Sequence, residues 1–315
     1  MRALHWYDWP FILRHRRQLN SLDNILAVTH GAPLSWLQLL STLRLNEQVF
    51  TGVLEPGDGL DKLIGQIHQS QNVLNAHISY LLKTANSEGD DLIGLLDGLT
   101  EQAGGWGAKQ VLADLETDSA WFPVFRRAGF SVLSKERVYR CSDRDCFKSS
   151  HSGRWQIWSG VDIPSIRSLY LALVPPLIQT VEPITRRAML GLVHYDQKGT
   201  LQAYADLVYG PKGAWVLPII HPQIKDNITD ILAQMILALP GLNGRPVYIT
   251  ARSYQPWLEH ALDDLDLDPG PEQTLLVRYL TLRQRVKSEL SFASIENGKP
   301  EPTIPILPLT QQRDF

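Results

Sequence analysis

The chain has 315 residues, of which 44% are hydrophobic and 20% are charged, with a formal net charge of −3. This composition is typical of a folded protein of about two domains, and so small a charge excludes a general attraction to nucleic acid. No apolar run reaches the ~20 residues that a spanning helix needs, and the amino terminus lacks the apolar core of a signal peptide. We therefore expect a cytoplasmic protein with no membrane and no nucleic-acid partner.

The first 140 residues predict an α/β arrangement. Residues 2–45 are mainly helical in pattern, with Asp8-Trp9-Pro10 as a helix start. Apolar periodicity then predicts further strands and helices. The strands are at 49–54, 62–68, 75–82, 110–115 and 131–139, and the helices are at 90–103 and 120–128.

The polar residues 141–153 predict a linker, after which a similar order of elements begins again. Strands are predicted at 155–159, 190–195, 201–209, 214–220, 246–251 and 273–280. Helices are predicted from Asp162 through Tyr170, at 224–238 and at 255–262. The repeated order predicts two related domains, 1–140 and 154–285. The proline-rich tail 286–315 is predicted to pack loosely or to be disordered.

The segment Gly107–Phe130 has an apolar strand, a short helix and the pair Gly129-Phe130, which leads into another strand. It resembles the C-terminal half of a GNAT-type acyl-CoA N-acyltransferase domain, and a weaker version recurs between Pro246 and Leu280. The resemblance implies two tandem GNAT-like domains of α/β class. Each would be a mixed, mostly antiparallel sheet that is splayed to open a cofactor cleft and is flanked by helices. It also implies acetyl-CoA as acyl donor and an unknown small-molecule or protein amine as acceptor.

Phosphate binding in that family uses backbone N–H groups of a glycine-containing loop and the positive end of the following helix. In the first half only Gly89 matches, beside Glu88, Asp90 and Asp91, which repel phosphate and instead suit a helix start. The second half has no glycine there, and an ordinary strand-to-helix turn is the alternative interpretation. Its candidate cofactor-binding residues are Ile219, Ile220, His221, Gln223, Lys225 and Asn227, with Asn227 also a helix cap.

The family's usual proton donor is a tyrosine four residues before the glycine of the Gly-Phe pair. This chain has Phe125 there, which has no proton to give, and Leu262 or a neighbour falls at the matching place in the second half; Tyr254 comes too early. Strand alternation puts Tyr204 and Asp206 on one face, which makes them the catalytic candidates. Other possible bases, each with an ordinary structural interpretation, are Glu55, His68, His77 and His194.

Two cysteines, Cys141 and Cys146, are too few for a zinc site, so we expect no metal. Trp6, Trp9 and Trp36 either pack in a core or line the mouth of a pocket, and residues 14–17 form a solvated basic face. Two functions stay open. One is an acyl-CoA-dependent N-acyltransferase with a single working site in the second domain, and the other is a catalytically degenerate GNAT-like binding or scaffolding protein.

Overall fold

The computed structural model describes residues 1–31, 47–56, 62–70, 73–83, 89–143, 147, 155–182, 190–196, 198–224 and 227–280. Several predictions lie outside these residues: the tail 286–315, Trp36, Glu88, Cys146 and Lys225. Residues 1–282 form one compact unit. The division into domains at residues 141–153 stays a prediction.

The described residues form thirteen strands and eight α-helices. The strands are β1 Arg2–Ala3, β2 Leu19–Ser21, β3 Glu47–Leu54, β4 Leu63–Ser70, β5 Asn75–Leu82, β6 Gln110–Glu116, β7 Ser131–Cys141, β8 Trp155–Ile157, β9 Leu190–Tyr195, β10 Leu201–Tyr209, β11 Ala214–Ile220, β12 Val247–Arg252 and β13 Asp268–Tyr279. The helices are α1 Trp9–His15, α2 Asn24–His30, α3 Gly89–Gly105, α4 Phe122–Arg127, α5 Ile163–Leu173, α6 Pro176–Val181, α7 Ile228–Ala238 and α8 Pro256–Asp263.

The strands form a single sheet, in which the first-half strands counted from one edge correspond to the second-half strands counted from the other. It runs β1-β3-β4-β5-β6-β13-β7-β12-β11-β10-β9-β8, and β2 joins β5 off this path. β1, β3, β4, β5 and β6 therefore lie at the same distances from the centre as β8, β9, β10, β11 and β12, and only β2 has no counterpart among the described strands. Only two of the described strand pairs, β5–β6 and β11–β12, are parallel. The predicted α/β class, with a mixed and mostly antiparallel sheet flanked by helices, is confirmed.

Each half begins with the same turn. In the first half the Asp8 carboxylate accepts a hydrogen bond from the His5 N–H at 3.0 Å, and helix α1 follows with Pro10 in its first turn. In the second half Asp162 accepts from the Ser159 N–H at 2.7 Å, before helix α5. A short carboxylate suits a helix start because it accepts a hydrogen bond from a free backbone N–H. Proline suits the first turn because it has no N–H that would need a partner.

Helices cover both faces of the sheet. Helices α3 and α4 close one apolar core in the first half, and α7 and α8 close another in the second half, on the same face. The opposite face carries α1 over the first half and α5 with α6 over the second. The helix predicted at 90–103 is confirmed as α3 because its buried leucines recur at helical spacing.

The two halves exchange segments. The last strand, β13, lies between β6 and β7, and β7 of the first half pairs in turn with β12, so strands far apart in the chain are neighbours in the sheet. Helix α2 of the first half packs on β10 and β11, where the Lys212 N–H donates to the Thr29 carbonyl at 2.8 Å. Helix α6 ends over the first half, where Gln110 Nε2 donates to the Thr180 carbonyl at 2.9 Å. A strand and a helix of each half thus pack in the other.

Five elements differ from the sequence-based expectation. The mainly helical pattern of 2–45 gives way to two strands, of which β2 is only three residues long, too short for periodicity to reveal. Helix α6 was not predicted, and β13 begins at Asp268 rather than at residue 273. Helix α7 begins at Ile228 rather than at 224, because Asn227 caps it there.

Candidate functional site

The two parallel strand pairs each open into a splay. β5 and β6 pair from Asn75 with Gln110 to His77 with Leu112 and then separate. β11 and β12 pair from Ala214 with Val247 to Val216 with Ile249 and then separate. Beyond these points the backbone groups of β5 and β11 have no neighbouring parallel strand. These gaps are the positions at which the resemblance implies a cofactor cleft.

Main chain of the protein itself fills the first splay. Strand β2 pairs antiparallel with the free end of β5, from Leu19 with Leu82 to Ser21 with Tyr80. The next residue, Leu22, bridges both walls: its N–H donates to the Ser79 carbonyl at 2.9 Å and its carbonyl accepts from the Asp114 N–H at 2.8 Å. Leu22 is only 1% exposed. An extended ligand has no place in this splay.

Side chains beside Leu22 close the first splay further. His68 Nδ1 lies 2.8 Å from Ser79 Oγ, and His68 Nε2 lies 3.6 Å from Asp23 Oδ2. Asp23 also caps helix α2 by accepting from the Leu26 N–H at 2.8 Å. Serine, histidine and aspartate in a row are the groups of a hydrolytic relay. Here the serine of the row, Ser79, is buried, so it does not face a substrate.

A single side chain spans the second splay. The buried carboxamide of Gln255 accepts from the Ile220 N–H at 3.2 Å and donates to the Pro218 carbonyl at 3.1 Å. These are the backbone groups that the separation from β12 leaves free. The two splays therefore differ: the first holds a strand of the chain, and the second is bridged by one amide.

The loop after β11 satisfies its own N–H groups. The His221 N–H donates to the Gln202 carbonyl at 3.0 Å, and the Gln223 N–H donates to His221 Nδ1 at 3.2 Å. The Ile224 N–H donates to the His221 carbonyl at 3.2 Å. A phosphate bound here would have to exchange these bonds for its own.

The start of helix α7 lies next to this loop. Asn227 Oδ1 accepts from the Thr229 N–H at 3.1 Å, so Asn227 caps the helix as the sequence predicts. The side chains of Ile219 and Ile220 are buried, which leaves only their backbone for a ligand. A cofactor role for Ile219, Ile220, His221, Gln223 and Asn227 stays a prediction.

The first-half counterpart of that loop ends at Gly89, the first residue of α3. Two carboxylates, Asp90 and Asp91, occupy the first turn of this helix. Asp90 forms an exposed ion pair with Arg127 at 2.5 Å. Acidic side chains stabilise a helix start but repel a phosphate, so Gly89 is the weaker of the two cofactor positions.

The two catalytic candidates lie together beside the second splay. Tyr204 donates its hydroxyl to Asp206 Oδ1 across 3.5 Å, and both side chains are on one face of β10. Tyr204 pairs with Ile219 of β11, at the point where the splay opens. Gly191 makes room for the tyrosine, because a Cβ there would lie 2.8 Å from its ring. Tyr204 is buried and Asp206 is half-buried.

The other predicted residues have structural surroundings. Glu55 forms ion pairs with Arg2 and Lys62, whose hydrogen bonds lower the pKa of its carboxyl. His68 of β4 contacts Ser79 of β5, and His194 is buried against Trp155 with ring centroids 5.4 Å apart. Where the resemblance implies a tyrosine proton donor, the first half has Phe125, which packs edge-to-face on Phe130. Leu262, one of the residues near the matching place in the second half, is buried in the core.

A buried polar network lies between the splays, and sequence reasoning missed it. Arg252 of β12 contacts Glu136 of β7 at 2.9 Å and Glu182 at 2.8 Å. Asn24 Nδ2 donates to Glu136 Oε1 at 2.6 Å, and the Asn24 N–H donates to Asp114 Oδ2 at 2.9 Å. The network joins α2 to strands from both halves. Its one sequence signal was a charged residue, Asp114, inside the apolar strand β6.

Burial and mutual charge shift the pKa values in this network. Burial raises the pKa of Asp114 well above its usual range, and the nearby charges of Glu136 and Asp23 add to the shift. Burial alone would lower the pKa of Arg252, but Glu136 and Glu182 raise it above its usual value. Tyr254, two residues on, has a pKa raised by burial, so it stays a phenol at neutral pH.

Within the described ranges, no group of three or more His, Cys, Asp or Glu side chains is arranged to hold a metal ion. Among the described helices, none has both the length and the apolar character to cross a bilayer.

No protein-family profile matches the chain, and no curated protein sequence matches it. Solved structures do resemble it. A GCN5-related N-acetyltransferase from Sphaerobacter thermophilus has 11% identity and a TM-score of 0.47, covering 88% of this chain and 94% of that one. A tandem GNAT protein from the clavulanic acid biosynthesis pathway has 12% identity and a TM-score of 0.48, covering 87% and 94%. A putative acetyltransferase from Pyrococcus horikoshii has 11% identity and a TM-score of 0.47, covering 90% of each chain.

Proposed function

We propose that this protein is an acyl-CoA-dependent N-acyltransferase with one working site, at the second splay, and that the first half is a structural partner. The observation that carries the proposal is the difference between the splays. Main chain from Leu19 to Leu22 fills the first, whereas one carboxamide, from Gln255, spans the second. The Gln255 carboxamide is bonded to the Ile220 N–H and to the Pro218 carbonyl, which indicates that these backbone groups can bind an amide. The pantetheine arm of acetyl-CoA carries two such amides and would replace it.

The chemistry would use the residues beside the second splay. The acceptor amine attacks the thioester carbonyl, a C–N bond forms, and the C–S bond breaks. Tyr204 takes a proton from the nitrogen while its own hydroxyl proton passes to Asp206, which lies 3.5 Å away. The proton then returns through water to the coenzyme thiolate, so no net proton is released. An unknown small-molecule or protein amine is the acceptor.

A catalytically degenerate binding or scaffolding protein is the second candidate, and specific observations favour it. The His221 N–H is already bonded to Gln202 of β10, and the N–H groups of Gln223 and Ile224 are bonded within the loop. The implied proton-donor position holds Phe125 in the first half and Leu262 or a neighbour in the second, and both Phe125 and Leu262 are buried in apolar cores. A protein of this kind would keep the fold for its surfaces rather than for turnover.

Isothermal titration of the full chain with acetyl-CoA separates the two candidates. The proposal expects one site per chain with about micromolar affinity. Gln255→Ala should tighten binding by up to about tenfold, because the ligand then satisfies backbone groups that the free variant leaves unbonded. The comparison variant Asn24→Ala, which changes the buried network between the splays, should leave affinity unchanged. Absence of heat at millimolar ligand in the wild type would favour the degenerate candidate.

Turnover is tested by release of coenzyme A in the presence of a panel of amines. Asp206→Asn should lower the rate by about 10²- to 10⁴-fold, the usual contribution of a general base, without changing acetyl-CoA affinity. Asp268→Asn, an exposed aspartate at the start of β13, is the control and should change neither quantity. Equal rates in the two variants would remove Asp206 from the mechanism.

A further inference from the structure

The outward surface of the amino-terminal helical segment takes no part in the site described above. A 3-10 turn at Trp6–Asp8, helix α1 and a 3-10 turn at Arg16–Gln18 follow one another directly. The inward side is anchored by Ile12, which is fully buried. Among the exposed side chains of this segment, we call six together the amino-terminal surface: Trp6, Tyr7, Leu13, Arg14, Arg16 and Arg17.

This surface is cationic on an anionic chain. Residues 1–20 contain four arginines and one acid, Asp8, a formal charge of +3, whereas the whole chain carries −3. Arg2 and Lys62 are neutralised by Asp8 and Glu55. None of the other three arginines, at positions 14, 16 and 17, forms an ion pair with a residue that the structure describes. Their charge faces solvent and is complementary to an anionic partner.

The same surface exposes large apolar side chains. Trp6 is 81% exposed, Leu13 is 56% exposed and Tyr7 is 50% exposed. The sequence suggested that Trp6 packs in a core or lines a pocket mouth, and its exposure excludes core packing. A short helical segment with tryptophan and leucine beside arginines is typical of a helix that lies in a membrane interface. Tryptophan prefers the headgroup level, and arginine prefers the lipid phosphates.

We propose that the amino-terminal surface binds an anionic lipid bilayer, with α1 lying along it. Trp6 and Leu13 enter the boundary between headgroups and acyl chains, and the three arginines contact lipid phosphates. The expectation of no membrane partner rested on the lack of a spanning apolar run. A helix that lies on a surface needs no such run.

A bilayer fits this surface better than a single-stranded nucleic acid. Nucleic-acid binding of that kind uses aromatic rings as stacking platforms for bases. The ring of Tyr7 is already covered by His5, stacked at 5.2 Å, and by the Arg2 guanidinium, 5.2 Å from its centroid. Leu13 has no aromatic ring on which a base could stack, but it adds apolar area to a membrane contact.

Co-sedimentation of the full chain with lipid vesicles tests the proposal. Binding is expected to vesicles that contain phosphatidylglycerol and not to pure phosphatidylcholine, and it should weaken with added salt. The triple change Arg14→Gln, Arg16→Gln and Arg17→Gln should weaken partitioning about 100-fold, since each charge near an anionic surface contributes about fivefold. Trp6→Ala should weaken it about tenfold through lost apolar burial.

The matched control removes the same charge elsewhere. Lys109→Gln, Arg167→Gln and Lys198→Gln change three exposed cations that lie outside the amino-terminal surface. This variant should bind anionic vesicles like the wild type. Circular dichroism confirms that each variant is folded. The proposal is overturned if anionic vesicles do not bind or if the control loses as much affinity as the triple variant. It is also overturned if a single-stranded oligonucleotide displaces the vesicles and Trp6→Ala has no effect on them.

Discussion

Replacing Arg252 by Met should destabilise the fold far more than breaking a surface ion pair. The side chains of Arg252 and Glu136 are each 4% exposed, and their charged atoms lie 2.9 Å apart. Glu182 is the second carboxylate on the same guanidinium, at 2.8 Å. Removing the arginine leaves two carboxylates without their counter-charge in a poorly solvated place. Breaking a buried pair in this way costs about 3–5 kcal/mol.

That loss is a large part of the about 5–15 kcal/mol by which a folded protein is usually stable. The melting temperature of Arg252→Met should therefore fall by roughly 10 °C. The control is Lys135→Met, which breaks the exposed pair between Lys135 and Glu272 at 2.6 Å. Such surface pairs contribute about 0–1 kcal/mol. Lys135 is next to Glu136 in β7, so the two changes probe neighbouring positions.

Urea unfolding of the full chain, followed by circular dichroism, measures both costs. Adding Glu136→Gln to Arg252→Met should recover part of the lost stability, because the unpaired charge is removed while an acceptor for Asn24 stays. The reasoning fails if Arg252→Met costs no more than Lys135→Met. That result would mean that solvent reaches the network and screens its charges.

Three further predictions concern stability. The raised pKa of Asp114 means that the folded protein keeps a proton that the unfolded chain has lost, so stability should fall as pH rises above about 4. Asp114→Asn should abolish this fall, while its side-chain oxygen still accepts from the Asn24 N–H. Urea unfolding between pH 4 and 8 should therefore show a weaker dependence of stability on pH than in the wild type. An unchanged dependence would mean that a group other than Asp114 causes it. Gly210→Ala should cost about 1–3 kcal/mol, because a Cβ there would lie 2.3 Å from the Thr29 carbonyl oxygen. Gly160→Ala is the control, because it has open space around it and, like Gly210, no positive φ. Asn227→Ala should cost about 1 kcal/mol through the lost cap of α7, and Asn227→Asp, which can still accept, should keep most of that stability in thermal melts.

The sequence predicted most elements of the fold because their patterns are local. The leucines at 92, 95, 96 and 99 place α3 without any knowledge of its partners. β2 could not be predicted in the same way. Three residues carry no period, and they form a strand only because β5 loses its parallel partner after His77.

The candidate site was predictable only in part for the same reason. Tyr204 and Asp206 are two residues apart, so strand alternation alone brought them together. Gln255 bonds to a strand about 35 positions earlier, and Asn24 bonds to Glu136 more than 100 positions later. Contacts between such distant residues depend on tertiary packing, which no local pattern reports.

The position of β13 between β6 and β7 has a consequence for synthesis of the chain. β6 ends at residue 116 and β13 begins at residue 268, so 152 positions separate the two partners. At the usual pace of translation, about 5–20 residues per second, β6 waits roughly 10–30 s for its neighbour. During that time the emerging first half has an unfilled edge next to an apolar core, which invites pairing with other chains. We therefore expect this protein to need protection on the ribosome until its last strand emerges, and truncation before residue 268 to yield aggregates rather than a folded first half.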